Sequence, residues 1–181
     1  MKRLALTLTA FLFSWASFSQ QSAQEQQLSH AEQFGAQEGT LIERQFLDVG
    51  TIKGMTVKVL IIKDLLSETT KTALQLEYYY ASSYSQHTKV ANLDADEIDG
   101  LIKSIKKLQT DVFPSNRDTY TEVSFKSRTG FEIGASYNPD KAKWIAFAQL
   151  SRSDKDSLVS LHLEDFETLL ALVEKADALM H

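Results

Sequence analysis

The stretch from Leu93 to Leu108 constrains the fold most, because it announces a helix entered straight from a strand. Asp94 is a helix-capping residue, Glu97 three positions on completes a capping box, and Leu93 can staple onto Ile98. Ile98, Leu101, Ile102, Ile105 and Leu108 then recur at helical spacing. Lys103, Lys106 and Lys107 take the outer side and the C-terminal end, where the helix dipole favours cations. Such a stripe needs a sheet to cover it. The pattern returns further on: at a shift of 68 positions Phe166, Leu169, Leu170, Val173 and Ala176 fall on those five residues, and Leu161 falls on Leu93. The same shift sets Glu164 on Asp96, Asp165 on Glu97 and Glu167 on Asp99.

The chain ahead of each helix alternates as strands do. Residues 41–49 and 55–62 are β-rich, the second with Met55, Val57, Val59 and Ile61 on one face, and Gly50 and Gly54 bracket a turn. Residues 72–81 put Leu74, Leu76, Tyr78 and Tyr80 on one side and Gln75, Glu77 and Tyr79 on the other, and 87–92 form a fourth strand. Four more strands are predicted at 119–127, 131–137, 144–150 and 157–162, separated by Arg128-Thr129-Gly130, by Asn138-Pro139-Asp140-Lys141 and by the polar run 151–156. The fold class is therefore α+β: an internal duplication of two ββββα repeats, 40–113 and 114–181, with antiparallel sheets each packed with one amphipathic helix.

This tandem ββββα pattern, over residues 40–181, resembles the whirly-type single-stranded-DNA-binding proteins and their relatives in topology, without a family signature motif. The resemblance implies paired antiparallel sheets and, in that family, intracellular nucleic-acid binding by basic and aromatic strand faces. This chain departs from the family on charge and on export.

Residues 1–19 carry the three parts of a cleavable secretory signal: the basic start Lys2-Arg3, the apolar run 4–13 and the small residues of 14–19, with cleavage expected near Ser19-Gln20. That apolar core is shorter than the roughly 20 residues a bilayer-spanning helix needs, so no membrane span is expected after signal removal. Cysteine is absent, which excludes a lipoprotein anchor, disulfides and thiolate zinc. The expected location is periplasmic or extracellular. The net charge of −5 becomes about −7 once Lys2 and Arg3 are removed, a balance that repels nucleic acid. Residues 20–39, with Gln20, Gln21, Gln24, Gln26, Gln27, Gln33 and Gln37, read as a flexible or partly helical spacer too poor in large apolar residues to bury much surface.

No chemistry-bearing constellation stands out. An EF-hand loop beginning at Asp94 fails, because its fifth, sixth and twelfth positions hold Ile98, Asp99 and Ile105. His30, His87, His162 and His181 form no metal-ligand spacing, and neither a nucleophile elbow nor a phosphate loop is present. No catalytic residue, metal ligand or cofactor is assigned. The one candidate binding surface is the aromatic run Tyr78, Tyr79 and Tyr80 with Tyr84 nearby, in which Tyr79 is expected to leave the core face and be free to stack on a ligand. The expectation is a secreted or periplasmic non-enzymatic protein that binds an envelope protein or glycan through a sheet face or the groove between its units, alone or as an oligomer. The alternatives are a hydrolase using carboxylates and, by fold analogy, a nucleic-acid-binding protein.

Overall fold

Residues 27–81, 86–152 and 154–181 are described by the computed structural model; the expected signal, the first part of the spacer and Tyr84 lie outside them. The order is α1 (His30–Gly35), β1 (Ile42–Ile52), β2 (Met55–Asp64), β3 (Thr70–Ala81), β4 (Gln86–Asp94), α2 (Ala95–Lys107), β5 (Thr121–Lys126), β6 (Glu132–Asn138), β7 (Lys143–Gln149), β8 (Leu158–Leu161) and α3 (Asp165–Met180). The strands make two four-stranded sheets of sequential order, β1-β2-β3-β4 and β5-β6-β7-β8, all antiparallel. The tandem ββββα arrangement is thus present, and the fold is α+β.

Alternation fixes the register. Val57 stands opposite Leu76 and Leu76 opposite Ala91, so the inner face of the first sheet is a continuous apolar surface. In the second sheet Ile133 stands opposite Ala148, and Ala148 opposite Val159. Both inner faces and both long helices belong to one hydrophobic core. The two helical stripes match at the shift of 68: Ile98, Leu101, Ile105 and Leu108 are buried, as are Phe166, Leu169, Val173 and Ala176. Ile102 and Leu170 are both partly buried against the same core.

Helical spacing produces a stripe but no address, and the stripe of α3 finds the first sheet. Leu172 lies over Gly50 of β1, where a Cβ on the glycine would come within 2.6 Å of the leucine Cδ2. Lys175 Nζ donates to the Val49 carbonyl at 3.1 Å, and the Thr72 hydroxyl donates to the Met180 carbonyl at 3.5 Å. Helix α2 touches β3 and β4 as it leaves its own sheet and then reaches β5 of the other. Its Gly100 faces the Phe125 ring, 3.5 Å from where a Cβ would stand. The helix encoded after the second sheet therefore packs on the first, and α2 bridges the two. Past α2 a π-helical turn, Leu108–Val112, leads to Phe113, which packs edge-on against Phe166 at 4.8 Å.

In the described part of the spacer the partly helical alternative is the one present, and it docks on more apolar surface than its composition suggests. Residues 30–35 form the short helix α1, capped by Ser29, whose hydroxyl accepts the Glu32 N–H while the Glu32 carboxylate accepts the Ser29 N–H. This helix docks on the outer face of the first sheet, where Ala31, Leu60, Ile62 and Ala73 form a second small core with Phe34 and Ile42 packed against it. The reason lies in β2, which carries apolar residues on both faces toward its end. Leu60 and Ile62 need a cover that the Gln-rich composition of 20–39 concealed.

Candidate functional site

Two reciprocal polar clamps join the units. The β5–β6 turn presents Arg128 to the junction of β4 and α2, where its guanidinium meets Asp94, Asp96 at 3.0 Å and Glu97 at 3.6 Å. The Arg128 N–H donates to the Glu97 carboxylate at 2.7 Å, and the Thr129 hydroxyl donates to the Asn92 carbonyl at 2.9 Å. The hydrogen bond from Arg128 holds the Asp96 carboxyl below its ordinary range and raises Arg128 in return. The β1–β2 turn does the same from the other side. Lys53, also the first turn residue, approaches Asp165 at 3.5 Å and His162 Nδ1 at 3.3 Å at the entrance of α3. Lys53 and Gly54 both have positive φ, 49° and 78°, the two-residue hairpin geometry that glycine accommodates. Even the cap is repeated: Glu97 accepts the Asp94 N–H at 3.1 Å, and Asp165 accepts the His162 N–H at 2.6 Å.

Asp94 does further work. It is 4% exposed, and its two carboxylate oxygens accept the His30 and Ala31 N–H groups at 2.8 and 3.0 Å, holding the first turn of α1. His30, Asp94 and Asp96 offer ligand atoms within 4.8 Å of one another. The Arg128 guanidinium already lies on both of these carboxylates, and its positive charge opposes a metal cation there. The trio reads as one end of an ion-pair network.

The pseudo-symmetry fails where Leu172 would have its counterpart, and a cleft lies there. On α3, Leu172 fills the space over β1; at the shift of 68 its counterpart on α2 is Ser104. The facing strand is larger on this side, because Phe125 stands three residues before Arg128 as Gly50 stands three before Lys53. The exchange does not fill the space. A cleft of about 120 Å³ remains between α2 and β5, lined by Ser104, Lys107, Leu108, Val112, Val123, Ser124 and Phe125. That approaches the volume of engineered apolar cavities of roughly 150 Å³ that take up benzene, so it suffices for one apolar side chain. Ser124 directs its hydroxyl to Glu132 at 2.6 Å on the opposite face, so it lines the cleft from its backbone. Among the described residues β5 is an edge strand with β6 as its one neighbour. Of the lining residues Lys107 is the one charged group, and it pairs with Asp111. Among the described residues the lining holds no carboxylate and no imidazole.

Of the aromatic run, Tyr79 is 56% exposed on the outer face of the first sheet, while Tyr78 is packed against the core and Tyr80 is half-buried. Tyr79 stands opposite Thr88, and the exposed Val90 opposite Glu77 is its diagonal neighbour. The run and the cleft are on different sheets. Sequence reading missed the cleft, although a signal for it exists: Ser104 is where the repeated helical pattern lacks the leucine that α3 has at Leu172. Compared with known proteins, the chain matches no family model, no curated protein and no solved structure.

Proposed function

We propose that the protein is a non-catalytic binding module that takes up an extended polypeptide segment along the free edge of β5. One apolar side chain of that segment is seated against Leu108, Val112 and Phe125. The observation that carries this reading is an apolar cleft of side-chain size beside an unpaired edge strand, between a helix of one unit and a strand of the other. Backbone hydrogen bonds to such an edge supply affinity for any extended chain, and the neighbouring pocket supplies selectivity. The cleft's polar lining atoms come from serine and lysine, with no acid–base pair to cleave what is bound.

The reading includes export, carried by Lys2-Arg3 and the apolar run after it, so the ligand is a polypeptide of the envelope or of the medium. The whirly likeness enters as a proposal about the origin of the tandem architecture; an acidic surface supports no transfer of nucleic-acid binding with it. The test uses peptides selected from a random display library on the chain. They should protect the β5 amides from hydrogen exchange and lose binding at least tenfold to Ser104→Leu, which fills the cleft. Peptides that bind Ser104→Leu equally well, or that protect β3 around Tyr79, would overturn the reading in favour of the aromatic face.

A further inference from the structure

The opposite edge of the molecule carries a second surface, independent of the cleft. Among the described residues β1 is the outermost strand of the first sheet, and its residues 44–48 are all exposed, on both faces. Two of them are large and apolar, Phe46 at 51% and Leu47 at 38% exposure. A long edge strand with open backbone groups and exposed apolar side chains is a template for another strand, and proteins blunt such edges with charge or bulges. The bulge here begins after Asp48, at the register shift between Asp48 and Gly50, and leaves 42–48 straight. The charges are Arg44 and Asp48, opposite in sign and each two residues from Phe46, so all three share the outer face.

That spacing is self-complementary. When two copies of a strand pair antiparallel about a two-fold axis perpendicular to the sheet, each residue keeps its face, so it can stand opposite itself or a residue an even number of positions away. With Phe46 opposite Phe46, Arg44 of each copy stands opposite Asp48 of the other, twice. That register also sets Gln45 against Leu47 and Glu43 against Val49, but neither neighbouring register pairs opposite charges: centred on Gln45, Arg44 faces Phe46 and Asp48 faces Ile42, and centred on Leu47, Phe46 faces Asp48 and Arg44 faces Gly50. Arg44 is already held over the outer face by donating to the Gly35 carbonyl of α1, and the Asp48 side chain is 81% exposed, 4.0 Å from Lys58. We infer that β1 is a homodimerisation edge, on which a second copy of this chain pairs antiparallel in the register centred on Phe46 and continues the first sheet through both molecules.

Charge reversal tests the occupant and the register together. Asp48→Arg faces Arg with Arg in its own dimer, and Arg44→Glu faces Glu with Asp; each alone should weaken self-association about tenfold, as two cross-strand pairs turn from opposite to like charge. Mixing the two variants restores opposite charges at both pairs, so the mixture should associate as the unaltered chain does in sedimentation equilibrium. The chain has no cysteine, so Phe46→Cys provides a clean reporter. Residues directly opposite in an antiparallel pair have Cα atoms about 4.5–5.5 Å apart, within disulfide reach, and mild oxidation should link Phe46→Cys far faster than Tyr79→Cys. A chain that stays monomeric through a dilution series, a mixture no tighter than its components, or equal linking at both cysteines would overturn the inference.

Discussion

Asp64 shows how much one carboxylate can gather at the end of a strand. It accepts hydrogen bonds from the Thr40 hydroxyl, from the Ser67 hydroxyl at 2.7 Å and from the Leu66 N–H at 2.9 Å, closing the β2–β3 loop. These bonds, the one from Thr40 foremost, lower its pKa from 3.8 to about 2. Because the folded-state value is the lower one, the contribution to stability is complete above about pH 4 and is lost as the pH falls through about 2. Denaturant midpoints for the chain and for Asp64→Asn, taken from neutral pH downward, should differ at neutrality and converge in that window; a constant difference would contradict the assignment. Arg128 makes a larger claim. Its removal leaves Asp94 buried without its guanidinium partner, so Arg128→Ala should cost about 2–3 kcal/mol in chemical denaturation. Arg128→Lys should recover only part, since one ammonium cannot fork to both Asp94 and Asp96. A loss below about 0.5 kcal/mol, the level of an exposed pair, would reduce the clamp to a surface feature. The capping role of Asp94 was legible from its spacing to Glu97. Its hold on α1 and its pairing with Arg128 were not, because both partners lie more than thirty positions away in sequence and no local pattern couples them.

At the scale of the element, what periodicity carries was readable and what docking carries was not. Each strand and both long helices follow from alternation, turn chemistry and caps, and the second helix was found as a copy of the first. A partly helical spacer was expected, but the docking of α1 escaped because six residues give too short a stripe to show a buried face, and its stability comes from Ser29, Asp94 and the outer face of β2 rather than from its own propensity. The cleft escaped for a related reason: one serine in an amphipathic helix carries no signal until the matching helix places Leu172 against a strand. This argues a double consequence for Ser104→Leu. Leucine is a better helix former than serine and brings apolar surface into an apolar cleft, so thermal unfolding should show a gain of about 1 kcal/mol, together with the loss of peptide binding. A gain in stability with binding unchanged would detach the cleft from function. A loss of stability would mean that the cleft is too narrow for the side chain that fills its counterpart.

At the scale of the whole molecule, the sharing of helices makes two repeats into one folding unit. α3 is encoded after the second sheet but supplies Leu172 over Gly50 and Lys175 to the Val49 carbonyl in the first. Neither unit can bury its inner face without the other, and one core runs through both. Cooperative unfolding follows from that geometry, and it separates this arrangement from two beads on a string. Trp144, packed against Tyr137 at 5.2 Å and donating its indole N–H to the Ser115 carbonyl at 2.8 Å, reports on the second unit. Hydrogen exchange in β2 reports on the first. Both probes should give one denaturant midpoint. Leu172→Ala removes a contact that belongs in sequence to one unit and in space to the other. It should lower both signals together by about 2 kcal/mol, at the modest end for a leucine truncation because this side chain is only partly buried. If the Trp144 signal alone moves, or if two transitions separate, then α3 is not a shared element and the units fold independently of each other.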